Sequence, residues 1–253
     1  MYLTWLDSNS WLIEMAGQRI LLDPWLVGSL VFGNLPWLFK SDRRSERTLP
    51  DAIDLILLSQ GLEDHAHPPT LEQLDRQIPV VASPNAAKVV NRLGYQQVTV
   101  LAHGESLTLA DALKIQAVPG SQIGPTLVEN GYVLTDLQSN TSLYYEPHGY
   151  HAPMLRELAP IDVVITPIVD LQLPVLGSVI RGRNVTLELA KLLTPKVILP
   201  TAAGGDIEMS GLIPTMLKTE GSVAELQSRL AEAQLFTQVI EPKPGDRFEV
   251  AIA

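Results

Sequence analysis

The feature that most narrows the fold is the apolar run IDLILLS (53–59), which leads directly into the polar turn Gln60-Gly61-Leu62-Glu63-Asp64-His65-Ala66-His67. A run of strand length without polar alternation reads as a central strand buried on both faces of a sheet, and the residues that follow such a strand are often functional. Three short strands precede it, LTWL, SWLIEM and RILL ending at Asp23-Pro24, which predicts an antiparallel opening. After it the pattern alternates. Thr70 with Gln73 reads as a capping box for a short helix, IPVVA as a strand, and Ser83-Pro84 with Gly94 as the start and stop of a second helix. From Leu113 strands return as LKIQAV, GYVLTD, SLYYE, IDVVIT and KVILP, with a helix from Val185 to Leu193 before the last. Ser222 and Glu225 cap an amphipathic helix running to about Leu235, and FEVAIA is expected as a closing strand. Each half begins strand-rich and continues in β/α units, which suggests a duplicated sandwich. No Gly- or Ser-rich linker interrupts it, so one domain over residues 1–253 is expected.

Composition excludes several function classes. Asp and Glu outnumber Lys and Arg 28 to 18, a net charge of −10, and no basic run interleaved with aromatics occurs, so nucleic acid is disfavoured as a partner. Cysteine is absent, which removes disulfides and thiolate metal ligands and points to a cytoplasmic setting. The start MYLTWLDSNSW lacks the basic and apolar regions of a signal peptide, and no apolar run reaches membrane-spanning length. No G-x-S-x-G elbow or G-x-x-x-x-G-K loop supports serine-hydrolase or phosphate-loop chemistry.

Four segments together resemble the metallo-β-lactamase superfamily: QRILLDP (18–24), the strand with SQGLEDHAH (59–67), ENGY (129–132) and LYYEPH (143–148). The resemblance implies an α/β fold, the αββα four-layer sandwich. Members carry H-x-H-x-D-H after the central strand, because metal ions need imidazole and carboxylate ligands fanned from one turn. Here Gln60 and Leu62 stand where the first two histidines would be, Ser121 or Gln122 where a later one would be, and Ala202 in place of the terminal one. Asp64 and His65 remain, and His148 takes roughly the bridging position. The resemblance therefore implies that a first metal site is abolished. It leaves Asp64, His65 and His148 as possible ligands of one zinc, with Asp64 and His65 as catalytic candidates. His67, His151 and Asp206 rank below them as substitutes.

Purely structural readings compete with these. Asp64-His65 could be a hydrogen-bonded turn, EPHGYH a polar loop resting on Tyr145 and Tyr150, and Asp23 either the holder of the His-bearing turn or a turn cap. The apolar segment LVGSLVFGNLPWLF (26–39) is either buried packing or an exposed lip, with Phe32 and Trp37 at the rim of the pocket containing His65. Loss of most ligand positions favours a binding or assembly protein with no tightly bound metal over a mononuclear zinc hydrolase of an ester, lactone, amide or phosphodiester. A small-molecule or lipid-like ligand, or a protein partner, would then occupy the scaffold.

Overall fold

The computed structural model describes residues 1–123, 126–174 and 177–252. The chain forms two compact units: Met1–Ala102 with Gly204–Met216 and Pro242–Glu249, and His103–Ala203 with Leu217–Glu241 and Val250–Ala253.

In the first unit a seven-stranded sheet runs in the order Arg247–Glu249, Tyr2–Trp5, Trp11–Met15, Gln18–Leu22, Leu55–Leu58, Val80–Ala82, Val98–Val100. The first three pairings are antiparallel and the last three parallel. Leu55–Leu58 lies in the middle and all four residues are buried, as its unalternating apolar sequence requires. Leu12, Leu21, Ile56 and Leu58 pack with Leu71 and with Ala86 and Val90 of the Pro84–Arg92 helix. Each fully buried aliphatic side chain of this kind stabilises the unit by roughly 1.5–3 kcal/mol. Gly61 is where the turn after the central strand touches that helix: a Cβ there would lie 2.9 Å from the Asn85 carbonyl oxygen.

The second unit repeats the plan. Its seven-stranded sheet runs Gln238–Val239, Val197–Pro200, Val163–Thr166, Ser142–Tyr145, Leu127–Asp136, Leu113–Ile123, Ser106–Leu109. Three pairings are parallel and three antiparallel. Val164, Ile198 and Tyr144 pack against Leu189, Ala190 and Leu193 of the Val185–Leu193 helix and Leu226 and Leu230 of the Val223–Glu232 helix. The repeated order accounts for the strand-rich opening of each half of the sequence.

Several local expectations are corrected. Thr70 does not cap its helix, which spans Pro68–Gln73 and begins after His67; its hydroxyl instead accepts from the backbone N–H groups of Leu26 and Val27 at 2.8 and 3.3 Å. Proline at the first helical position sets the start, because its missing N–H has no helical partner to lose. The closing strand is only Arg247–Glu249, without the apolar end of FEVAIA, and Ala253 lies outside the described residues. Gly124 and Pro125 of PGSQIGP also lie outside them. Ile207–Ser210, which sequence patterning missed, pairs with Lys40–Arg43 on an exposed face where no apolar alternation marks it. Segment 26–39 divides between the two readings: Leu26 and Leu30 are buried, Phe32 is half-buried and Trp37 is 64% exposed. Among the described residues no helix is long and apolar enough to cross a membrane.

Candidate functional site

The turn after the central strand holds its histidine from two sides. His65 is fully buried, its Nδ1 is 2.6 Å from Asp23 Oδ2, and its Nε2 is 3.1 Å from Asp64 Oδ2. Asp23 follows the Gln18–Leu22 strand, which runs parallel to Leu55–Leu58, so the two strand ends bring the carboxylate to the histidine turn. The same carboxylate accepts from the Ser59 backbone N–H at 2.7 Å and the Ser59 hydroxyl at 2.5 Å. Asn9 Nδ2 lies 3.2 Å from His65 Nε2 and donates to Asp64 Oδ2 at 3.4 Å. Burial works against charge on the ring, but Asp64 and Asp23 outweigh it and hold the imidazolium well above its ordinary range. Of the two sequence readings of Asp23, the structure supports the one in which it holds the histidine turn.

The positions that depart from the family pattern carry no metal chemistry. Gln60 is fully buried with no hydrogen bond at either amide atom among the described residues, and Leu62 is 41% exposed. Asp64 and His65 are the motif's two remaining metal-capable side chains in this unit, and each already engages the other. The substitutes ranked lower are committed elsewhere. His67 Nε2 donates to the Ser29 carbonyl at 3.3 Å and Nδ1 accepts from the Thr70 hydroxyl at 3.0 Å. Burial pushes that imidazole down to about 4. Asp206 sits beside Asp7, its backbone N–H donating to Asp7 Oδ1 at 2.7 Å.

That Asp7 network was not legible in the sequence. Asp7 is fully buried and accepts from Arg43 Nε at 3.2 Å and from Arg47 Nε at 2.9 Å, while the Arg43 guanidinium lies 4.1 Å over the Trp25 ring. Gly205 is part of it: at φ +106°, a Cβ would fall 2.6 Å from Asp7 Oδ1.

In the second unit, His148 follows the Ser142–Tyr145 strand, and its Nδ1 lies 2.8 Å from Glu129 Oε1. Glu129 comes from the neighbouring Leu127–Asp136 strand and also accepts from the Ser121 backbone N–H at 3.1 Å. Glu146 is fully buried, and its Oε2 accepts from the backbone N–H groups of His148, Gly149 and Tyr150 at 3.2, 2.5 and 2.9 Å. Burial raises the Glu146 carboxyl well above its ordinary range, and the facing Glu129 charge adds to this. Glu129, Glu146 and His148 offer ligand atoms all within 4.8 Å of one another. Sequence reasoning singled out only the histidine. The available signal was a pair of glutamates, one early in the LVENGYVLTD strand and one directly after SLYY. His151 rests on Tyr144, with Nδ1 3.1 Å from its hydroxyl, and not on the tyrosines expected.

Comparison with known proteins bears on both units. A family model described as the beta-lactamase superfamily domain matches residues 2–202. A metal-dependent hydrolase of Methanopyrus kandleri is 23% identical, the alignment covering 98% of this chain and all of that protein. The isothiocyanate hydrolase from Delia radicum gut bacteria superposes with a TM-score of 0.71 at 16% identity, over 99% of both chains. A metallo hydrolase from Ignicoccus hospitalis superposes with a TM-score of 0.70 at 20% identity, again over 99% of both. These likenesses show the αββα fold that the sequence motifs implied.

Proposed function

The chain belongs to the metallo-β-lactamase superfamily, and from that premise we propose a member that has given up two-metal hydrolysis and uses the scaffold for binding or assembly. One observation carries this reading: the first two ligand positions hold a buried, unbonded Gln60 amide and an exposed Leu62, while His65 is clamped between Asp23 and Asp64. A two-metal hydrolase polarises the scissile group with one ion while the other helps supply hydroxide, and these side chains cannot serve both roles. Absence of cysteine supports a reducing, cytoplasmic setting.

The ligand in this reading is small or lipid-like, with Phe32 and Trp37 at the rim of the His65 pocket. Support comes from within the first unit. Gly33 N–H donates to Glu63 Oε1 at 3.1 Å, tying the apolar segment to the motif turn, and Phe32 stacks on Phe39 with ring centroids 4.9 Å apart. Trp37 stands largely in water, where an uncovered aromatic marks a contact surface.

The names of the relatives favour a second reading, a metal-dependent hydrolase of reduced nuclearity. Asp64 and His65 would then help hold a single zinc, whose chemistry is a hydroxide available at neutral pH. One experiment separates the two readings. Turnover of nitrocefin, a homoserine lactone and bis-nitrophenyl phosphate is measured with added zinc, for wild type and His65→Ala. The binding reading expects equal background rates; a zinc-dependent rate lost in His65→Ala establishes the hydrolase. His148→Ala in the same assay tests the expectation that it is a further ligand.

A further inference from the structure

The second unit carries a metal-capable constellation in which two glutamates outside the family motif join His148. Glu129 and Glu146 are both fully buried, and the His148 side chain beside Glu129 is 19% exposed. Hydrogen bonds fix both carboxylates. Ser121 N–H and His148 Nδ1 hold Glu129 Oε1, and three successive backbone N–H groups hold Glu146 Oε2. Glu146 Oε1 is left buried with no hydrogen-bond donor among the described residues, and it belongs to the cluster in which the carboxylates face one another. Two buried carboxylates in contact are costly unless a positive charge neutralises them. The backbone around them is also shaped to one arrangement. A Cβ at Gly120 would lie 2.7 Å from Glu129 Cγ, and Gly149, at φ +85°, supplies one of the N–H groups that fix Glu146.

We propose that Glu129, Glu146 and His148 bind one divalent cation within the second unit. Donor atoms within 4.8 Å of one another can converge on one ion at about 2.0–2.2 Å each after small side-chain rotations. Two carboxylates and one imidazole, with no thiolate, suit manganese or zinc. Glu129 and Glu146 take no part in either reading above, so their variants test this site alone.

The experiment titrates the full chain with manganese chloride, followed by loss of the free-ion electron paramagnetic resonance signal, and with zinc chloride, followed by calorimetry and thermal unfolding. Wild type takes up one equivalent of manganese or zinc through this site and melts at higher temperature with the ion. Glu146→Gln and Glu129→Gln each weaken uptake at least tenfold while remaining folded without metal, because each replaces a carboxylate ligand with a neutral amide. His148→Ala weakens it as well. No uptake of either ion by wild type at millimolar concentration overturns the site and leaves a shared proton as the neutralising charge. Undiminished uptake in both glutamine variants also overturns it.

Discussion

Replacing Asp23 with Asn tests whether His65 is held chiefly from the Asp23 side. The carboxylate is fully buried and takes three contacts, from the Ser59 amide, the Ser59 hydroxyl and His65 Nδ1, at 2.7, 2.5 and 2.6 Å. The amide keeps the shape and one acceptor oxygen but sets an NH2 against the hydroxyl and the imidazolium, so donors face donors and a buried cation loses a counter-charge. Breaking a buried ion pair from one side costs about 3–5 kcal/mol. Asp64→Asn is the control. Its side chain is 17% exposed and lies 3.1 Å from Nε2, so water compensates and the loss should be ~1 kcal/mol. Guanidinium unfolding of the three proteins, compared at unchanged slope, measures both changes. If Asp23→Asn falls within ~1 kcal/mol of wild type, or Asp64→Asn costs more, the argument that Asp23 positions the histidine is wrong.

Other outcomes follow from the same structure. His67 is neutral in the folded chain, with its imidazole pushed down to about 4. The unfolded chain therefore binds the extra proton first, and stability falls as pH drops from about 6.5 toward 4, by up to ~3 kcal/mol from this ring. His67→Gln should flatten that part of a stability–pH profile, and an unchanged slope would show that His67 does not set it. Gly205→Ala places a methyl against the Asp7 carboxylate at a left-handed φ. It should destabilise by ~2–4 kcal/mol in chemical denaturation, and a neutral result would refute the close approach. Trp37→Ala removes a ring that is 64% exposed. It should leave the midpoint of unfolding within ~0.5 kcal/mol while weakening binding of a fatty-acyl probe; a large loss of stability would show that the ring is packing and not a rim.

The sequence alone determined what local pattern can encode. The unalternating LILL strand sits at the middle of its sheet, Ser83 and Ser222 cap the helices they precede, and Val185–Leu193 is helical over the expected span, because each depends on neighbours within a few residues. The family motifs likewise located Asp64, His65 and His148 and identified Gln60 and Leu62 as departures. Only the tertiary structure decided what those residues touch. Thr70 caps no helix because two amides 43 and 44 residues earlier reach its hydroxyl. Asp23 is bound to a ring 42 residues away through the parallel pairing of two strands. Glu129 and Glu146 meet because the antiparallel pairing of Tyr132 with Tyr145 sets the first part of one strand beside the end of its neighbour, and Asp7 gathers two arginines and Asp206 from distant segments. Buried charge finds its partner by the path of the backbone through space, and spacing along the chain carries no record of that path.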